Sequence, residues 1–283
     1  MDPFEEHRDH LGAVAFRMLG SRSDADDAVQ EAWLRLNRSD VGEVRNLRGW
    51  LTTVIAHICL DVLRTRGTRR EEPLDTDGDL ATTEAVDPEQ QAVLADSIGI
   101  ALLVVLQTLS PPERLALVLH DMFDVPFAEI GPIVGRSPNA AAQLAARARR
   151  RVRGRAVDPD GLENERRRVV EAFLAAARAG DFDALLAILH DDVVLRVDAT
   201  AAPTGQPVMV HGASDVAASA RMFAANARHA DLALVDGSAG LVVAPEGRLA
   251  LVLQFVVERR SITRIAITAD EDRLGRLELA ILG

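Results

Sequence analysis

The sequence predicts an all-α first half followed by an α+β domain at the C-terminus. Three observations carry this expectation. Up to about residue 155 the apolar residues recur at helical spacing, punctuated by caps and a glycine turn. An acidic stretch with Pro73 and Gly78 and no hydrophobic period, residues 71–87, interrupts that pattern as a mobile connection. From about residue 162 the grammar changes to two helices, a strand, a further helix and then alternating apolar runs.

A chain of 283 residues that is 48% hydrophobic has material for more than one core. No apolar run is long enough to span a bilayer, and Asp2, Glu5, Glu6 and Arg8 are wrong for a secretory leader. The one cysteine, Cys59, sits inside an apolar helical pattern, which frames neither a disulfide nor a zinc site and points to the cytoplasm. Neither a metal nor another cofactor is expected. The net charge of −11 argues against a general nucleic-acid coat protein. Its distribution is uneven: seven arginines and no acid lie between Arg136 and Arg155, beside an acidic 71–96. That pattern suits a focused DNA contact, and equally a solvated arginine-rich helix.

The first segment, residues 1–70, reads as helical. Ser23 with Asp26 is a variant capping box, and the next turns place Ala25, Ala28, Val29, Trp33 and Leu36 on one stripe. Asp24, Asp27, Glu31 and Arg35 fall opposite. Like charges one turn apart cost an isolated helix a few tenths of a kcal/mol, a penalty that a basic partner surface would relieve; a solvated acidic face has the same pattern. A second helix over 47–64 buries Leu47, Leu51, Val54, Ile55, Ile58 and Val62 and ends in Arg64, Arg66, Arg69 and Arg70. Those arginines suit a helix C-terminus and could also reach phosphates.

In the second segment, 88–156, Ser110-Pro111-Pro112 opens a helix with Leu115, Val118, Leu119 and Met122 inward. A short helix follows with Phe127, Ile130 and Ile133 inward, and Gly135 breaks it. Ser137-Pro138 then restarts the chain as N-cap and first helical residue. The last helix buries Ala141, Leu144, Ala145, Ala148 and Val152 and turns Asn139, Gln143, Arg147 and Arg150 outward. This describes a helix-turn-helix with a basic recognition helix, or an ordinary αα-hairpin. Asn and Gln suit adenine edges, and Arg suits guanine or phosphate.

Residues 1–155 resemble an extracytoplasmic-function sigma factor. SDADDAVQEAWLRL is similar to that family's polymerase-binding helix, RGWLTTVIAHICLDVLR to its promoter −10 helix, and the stretch from LSPPERLALVLHDM to AAQLAARARRRVR to its −35 helix-turn-helix. The resemblance implies core RNA polymerase as partner, through the β′ clamp helices and the β flap, with promoter −10 and −35 DNA. It places Asp27, Gln30 and Glu31 on the clamp helices and Arg45, Asn46 and Trp50 near the −10 element. Arg64 and Arg66 would approach backbone there, and Ser137, Pro138, Asn139, Gln143 and Arg147 would meet the −35 major groove. An early arginine that the subgroup carries is absent near Ala142, and the linker lacks the subgroup's Trp-Leu-Pro motif.

The third segment, 162–283, is expected to hold a helix over 163–178 and a short one after Gly180-Asp181. A strand over 193–197 and a helix over 213–226 follow. Strands over 232–235, 249–257 and 262–268 come next, two of them joined at Pro245-Glu246-Gly247, and a last helix holds Leu274, Leu277 and Leu279. This order resembles the cone-shaped SnoaL-like branch of the nuclear-transport-factor-two-like fold, fused to sigma factors of the SigJ type. The resemblance implies a regulatory domain with a cup that could take a small-molecule ligand. An enzymatic cup would draw on His190, Asp192, Asp198, His211 and His229, although His190-Asp191-Asp192 reads as the polar end of a helix and His211-Gly212 as a turn. The leading reading is a non-enzymatic sigma factor whose fused domain modulates promoter engagement. A sensor or enzyme attached to a DNA-binding module is the alternative, and a repressor that never meets polymerase is a third.

Overall fold

The computed structural model describes residues 4–39, 46–71, 99–154, 162–222 and 224–282. The linker and Arg45 lie outside them. The chain forms two compact units. One joins the N-terminal helices to Leu106–Arg149, and the other joins Ile98–Val105 to Arg150–Gly283.

In the first unit α1 (Arg8–Leu19), α2 (Arg22–Arg38) and α3 (Leu47–Glu71) pack together. Helix α2 starts one turn-fraction earlier than expected: its N-cap is Ser21, whose Oγ accepts from Asp24 N at 3.4 Å, and Ser23 lies inside the first turn. Ala25, Ala28, Val29 and Ala32 face inward. Trp33 does not; at the margin of the apolar stripe, it is 39% exposed. Helix α3 buries Leu51, Ile55 and Ile58 as expected, and also Cys59, whose thiol burial pushes up to about 12, leaving it an inert core group.

Helix α4 (Ile100–Gln107) precedes α5 (Pro111–Leu117), which runs into a π-helical turn, Val118–Met122. Then come α6 (Phe127–Ile133) and α7 (Pro138–Arg153). Leu115, Val118, Leu119, Ile130 and Ile133 are buried in register with the sequence pattern.

Arg114 on α5 is the most telling buried group, 5% exposed. It donates from Nη1 to Met18 O at 2.7 Å and from Nη2 to Gln107 O at 2.9 Å. Burial pulls its guanidinium down to about 10, and its Nε has no hydrogen-bond partner. Nearby, His10 on α1 stacks edge-on against Phe123 at 5.3 Å. Thr52 Oγ1 gives its proton to Arg48 O, so His10 Nε2 donates to Thr52 (3.0 Å) and its bare Nδ1 accepts from Arg48 Nη2 (3.2 Å). Burial first, then the charges of Arg48 and His7, hold the His10 pKa down.

The second unit is α+β. Helices α8 (Leu162–Ala179) and α9 (Phe182–Ile188) lead into β1 (Leu189–Val197) and β2 (Val208–His211). Helices α10 (Ala213–Met222) and α11 (Ala224–Ala227) precede β3 (Ala230–Val235), β4 (Ser238–Val243), β5 (Leu251–Glu258) and β6 (Ser261–Thr268). A short α12 (Glu271–Leu274) and β7 (Leu279–Ala280) close the domain. The sheet order is β2-β1-β6-β5-β4-β3-β7, parallel only between β1 and β6. Val169, Val170, Phe173 and Leu174 of α8 pack onto Leu195, Leu241, Leu253, Phe255 and Ile265 of the sheet.

Several expectations are corrected here. His190, Asp191 and Asp192 begin strand β1 rather than ending a helix, since Leu189 and Val193 bury their side chains on the sheet and leave the three polar residues out. His211 ends strand β2. Strands β2 and β4 were not expected, and Leu279 lies in β7, paired with Val235, instead of a helix. Pro245–Gly247 joins β5 to the unexpected β4 and not to the run at 232–235, because β3 first turns back into β4.

Two outcomes are expected. Arg114→Ala removes the donors to Met18 O and Gln107 O and opens a void, so it lowers the unfolding free energy by about 3 kcal/mol, measurable by urea denaturation. For His10 the folded pKa lies below the unfolded 6.5, so its contribution is fully present above pH 6.5 and is lost as pH falls. Denaturation at pH 7.5 and 5.5 should show a smaller loss in His10→Gln than in wild type; equal losses would refute this account.

Candidate functional site

The residues singled out in the sequence fall on three surfaces. The first is the outer face of α2. Asp27 and Gln30 are exposed there, and Glu31 is half-buried with its Oε1 accepting from Arg35 Nε at 2.9 Å. A groove of ≈ 410 Å³ runs beside Glu31, floored by Ile58 and Val62 and rimmed by Arg35, Asp61, Thr65 and Arg66. Arg66 spans back to α2 and pairs with Asp24 at 2.5 Å. It therefore helps fix α2 against α3, a role that its sequence position does not reveal.

The second surface is the start of α3. Asn46 is exposed and its Oδ1 accepts from Gly49 N at 3.0 Å, while Trp50 N donates to Asn46 O at 3.1 Å. Asn46 thus caps the helix. A Cβ on Gly49 would lie 2.7 Å from Asn46 Nδ2, so a larger residue there would push the capping amide aside. Trp50 is half-buried beside it. Arg64 is exposed two turns before the helix end, 3.5 Å from Asp61.

The third surface is α7. Ser137 Oγ accepts from Ala140 N at 3.2 Å, and Pro138 is the first helical residue, as the sequence signals. Ala141, Ala145 and Ala148 are fully buried, which lets α7 lie close to α5 and α6. The tight turn before it depends on Gly131: a Cβ there would meet Arg136 O at 2.8 Å. Gly135, with φ +65, turns the chain. Ser137, Pro138, Asn139, Gln143, Arg147 and Arg150 are all exposed, and Leu144 is half-buried.

Two acids on the preceding helices hold arginines of α7. Glu113 accepts from Arg147 Nε at 3.3 Å, and Asp121 takes Arg149 through both oxygens, at 2.5 and 2.6 Å. The Arg149 hydrogen bonds hold the Asp121 carboxyl below its usual range. Glu113 also accepts from Ser110 Oγ at 2.7 Å. The Ser-x-x-Glu spacing from Ser110 is the capping-box signature that could have found Glu113 in the sequence; no local signal points to Asp121.

In the C-terminal domain the five residues considered for catalysis have separate surroundings. Asp198 is structural: it accepts from Ala201 N and Ala269 N, both at 2.8 Å, and from Asp270 N at 3.0 Å. Burial opposes its charge, but those three bonds carry its pKa below normal. His190 Nδ1 accepts from Asp192 N at 3.1 Å at the exposed start of β1. Arg228 Nε donates to His229 Nε2 at 3.0 Å. No cluster of metal-ligating side chains occurs among the described residues, and no helix among them is long and apolar enough to cross a membrane.

Comparison with known proteins follows the same division. Residues 3–69 match Sigma-70 region 2, and residues 100–152 match Sigma-70, region 4. A probable ECF RNA polymerase sigma factor, SigI of Mycobacterium tuberculosis, is 35% identical over 98% of this chain and 95% of its own length. The ECF RNA polymerase sigma factor SigJ of the same organism is 43% identical over 71% of this chain and 66% of its own. The crystal structure of SigJ aligns at 32% identity with a TM-score of 0.47, covering 96% of this chain and 97% of that one. Regions 2 and 4 imply binding to RNA polymerase and promoter DNA. With identity maintained along nearly the full length of a sigma factor, the chain belongs to the ECF RNA polymerase sigma factors, alternative factors that direct promoter-specific transcription initiation.

Proposed function

We propose that the three surfaces divide the work of initiation. Asp27, Gln30 and Glu31 on α2 dock on the β′ clamp helices of core RNA polymerase. The α3 start, with Arg45, Asn46 and Trp50, captures the −10 element, and Arg64 approaches its backbone. Asn139 and Gln143 read base edges of the −35 element in the major groove, while Ser137, Pro138 and Arg147 set the register on phosphate, and the β flap holds the second helical module. The protein acts in the cytoplasm without catalysis of its own. Residues 1–70 and 88–156 are the two modules, 71–87 the connection, and 162–283 a domain that modulates promoter engagement.

One observation carries the DNA reading: Asn139, Gln143 and Arg147 form an exposed stripe at spacing i, i+4, i+8, opposite a stripe that is wholly buried. A helix so divided presents its polar face outward with little freedom to rotate. Arg147 uses Nε for Glu113, and the four other guanidinium N–H groups remain for phosphate. The charge on α2 supports the polymerase reading, because Asp27 and Glu31 are like charges a turn apart that a basic surface would relieve.

Titration with core polymerase should show the double substitution Asp27→Ala/Glu31→Ala weakening binding about 10- to 100-fold; unchanged affinity would remove α2 from the interface. With −35 duplex, Gln143→Ala is expected to cost about 1–3 kcal/mol and relax preference at one position. Arg147→Ala is expected to weaken all sequences alike and reduce the salt slope by about 1. An unaltered sequence preference in Gln143→Ala would sink its base-reading role.

A further inference from the structure

The groove beside Glu31 is built from two helices, and its apolar part does not come from α2. Its floor belongs to α3, where Ile58 is buried and Val62 half-buried. Ile58, Asp61, Val62 and Thr65 stand at i, i+3, i+4 and i+7, one stripe along two turns of α3 and about 10 Å long. Glu31 and Arg35 line the groove from α2. At ≈ 410 Å³ it falls in the size range of sites that bury a ligand.

The charges on the rim hold one another. Arg35 Nε donates to Glu31 Oε1 at 2.9 Å, and Arg66 Nη2 lies 2.5 Å from Asp24 Oδ1. Thr65 Oγ1 donates to Asp61 O at 2.9 Å, which commits its proton to the helix backbone. The Asp61 carboxylate meets Arg64 at 3.5 Å with both side chains largely exposed, a weak pair. An apolar floor ringed by mutually satisfied charges is the arrangement of an interface hot spot, in which a polar rim keeps water from a desolvated centre. The lining carries two carboxylates and two guanidiniums, so it offers a DNA strand no excess of positive charge. An aliphatic side chain gives up no polar contact on entering.

We propose that this groove is an apolar socket of the polymerase interface: an aliphatic side chain on the helical partner that docks against α2 inserts over Ile58 and Val62. The proposal rests on the reading of α2 as the polymerase-docking helix, and it extends that surface onto α3. Continuity supports it, because Glu31 belongs both to the docking face and to the groove lining. Asp61 adds a carboxylate to the Asp27 and Glu31 set, so the partner's aliphatic residue is flanked by a basic one. Helix α3 then serves two partners, DNA at its start and polymerase in its second half.

The test uses the full chain and core RNA polymerase. Val62→Gln should weaken polymerase binding about tenfold, while Val62→Leu, which keeps an apolar floor, stays within about twofold of wild type. The urea midpoint and −35 duplex binding of Val62→Gln should match wild type, which separates a lost contact from a damaged fold. Occupancy has its own readout in Thr65→Cys, because the chain's one cysteine, Cys59, is buried and inert. Polymerase should slow maleimide alkylation of the new thiol by about tenfold or more. Unchanged alkylation in the complex, or wild-type affinity in Val62→Gln, would overturn the socket. So would a thiol already protected in the free chain, which would then fill the groove itself, or one protected by −10 DNA and not by polymerase. Wild-type affinity in Asp27→Ala/Glu31→Ala would instead refute the reading of α2, while the thiol still decides whether polymerase covers the groove.

Discussion

A single buried cation organises the first unit. Arg114 has no carboxylate partner in its hydrogen bonds; it points its two terminal nitrogens at Met18 O and Gln107 O. Those carbonyls belong to the last turns of α1 and α4. Each helix end carries about half a negative charge, so two of them together approximate the counter-charge that an isolated buried guanidinium requires. That solution tolerates burial only while both helix ends stay in place, because an uncompensated charge in the interior costs several kcal/mol. The fold thus fixes α1 and the α4–α5 corner with directional bonds, where apolar packing alone would allow sliding. The unpartnered Nε marks the remaining cost of the arrangement.

Much of the fold was legible because its signals are local. Ser137-Pro138 announces α7 and Asp181 announces α9, where Oδ1 accepts from Ala184 N at 3.0 Å; both were read correctly. The errors have physical causes. Trp33 was placed inward because it lies at the margin of the apolar stripe, where a shift of a few tens of degrees decides exposure. The strand run at His190-Asp191-Asp192 is polar, and a register irregularity between Leu189 and Val194 absorbs it, so no alternation was available to read. Strand β4 was missed although Asp236-Gly237, with φ of 51° and 81°, is a hairpin signature. The hairpin between β5 and β6 turns on Arg259-Arg260, also at positive φ, and no residue preference could have announced it. For the candidate site, the exposed stripe on α7 was visible in the sequence. Its ion pairs with Glu113 and Asp121 were not, since the partners are 34 and 28 residues away.

Those pairs change how the basic helix should be understood. Seven arginines between Arg136 and Arg155 suggest strong, indiscriminate attraction to phosphate. Arg147 and Arg149 instead spend part of their charge on Glu113 and Asp121 within the same unit. Engaging DNA then exchanges one anionic partner for another, and the net gain per arginine falls well below that of a free side chain. On the proposed reading, in which Asn139 and Gln143 contribute through base edges, non-specific affinity drops more than specific affinity. In a chain with net charge −11 this damping favours discrimination over raw binding.

The same economy explains why distant residues matter at the ends of short helices. A long helix with its own cap, such as α2 with Ser21, is specified where it lies in the sequence. A short apolar helix such as α4 is specified only where the rest of the fold supplies its missing partners. One hydrogen bond contributes about 1 kcal/mol, a small share of the stability of a domain, yet comparable to what separates a marginal helix from a frayed one. Elements of this kind report on their surroundings. Arg114 receives the C-terminal end of α4 at Gln107 O, and Asp231 receives its N-terminal end at Ala101 N.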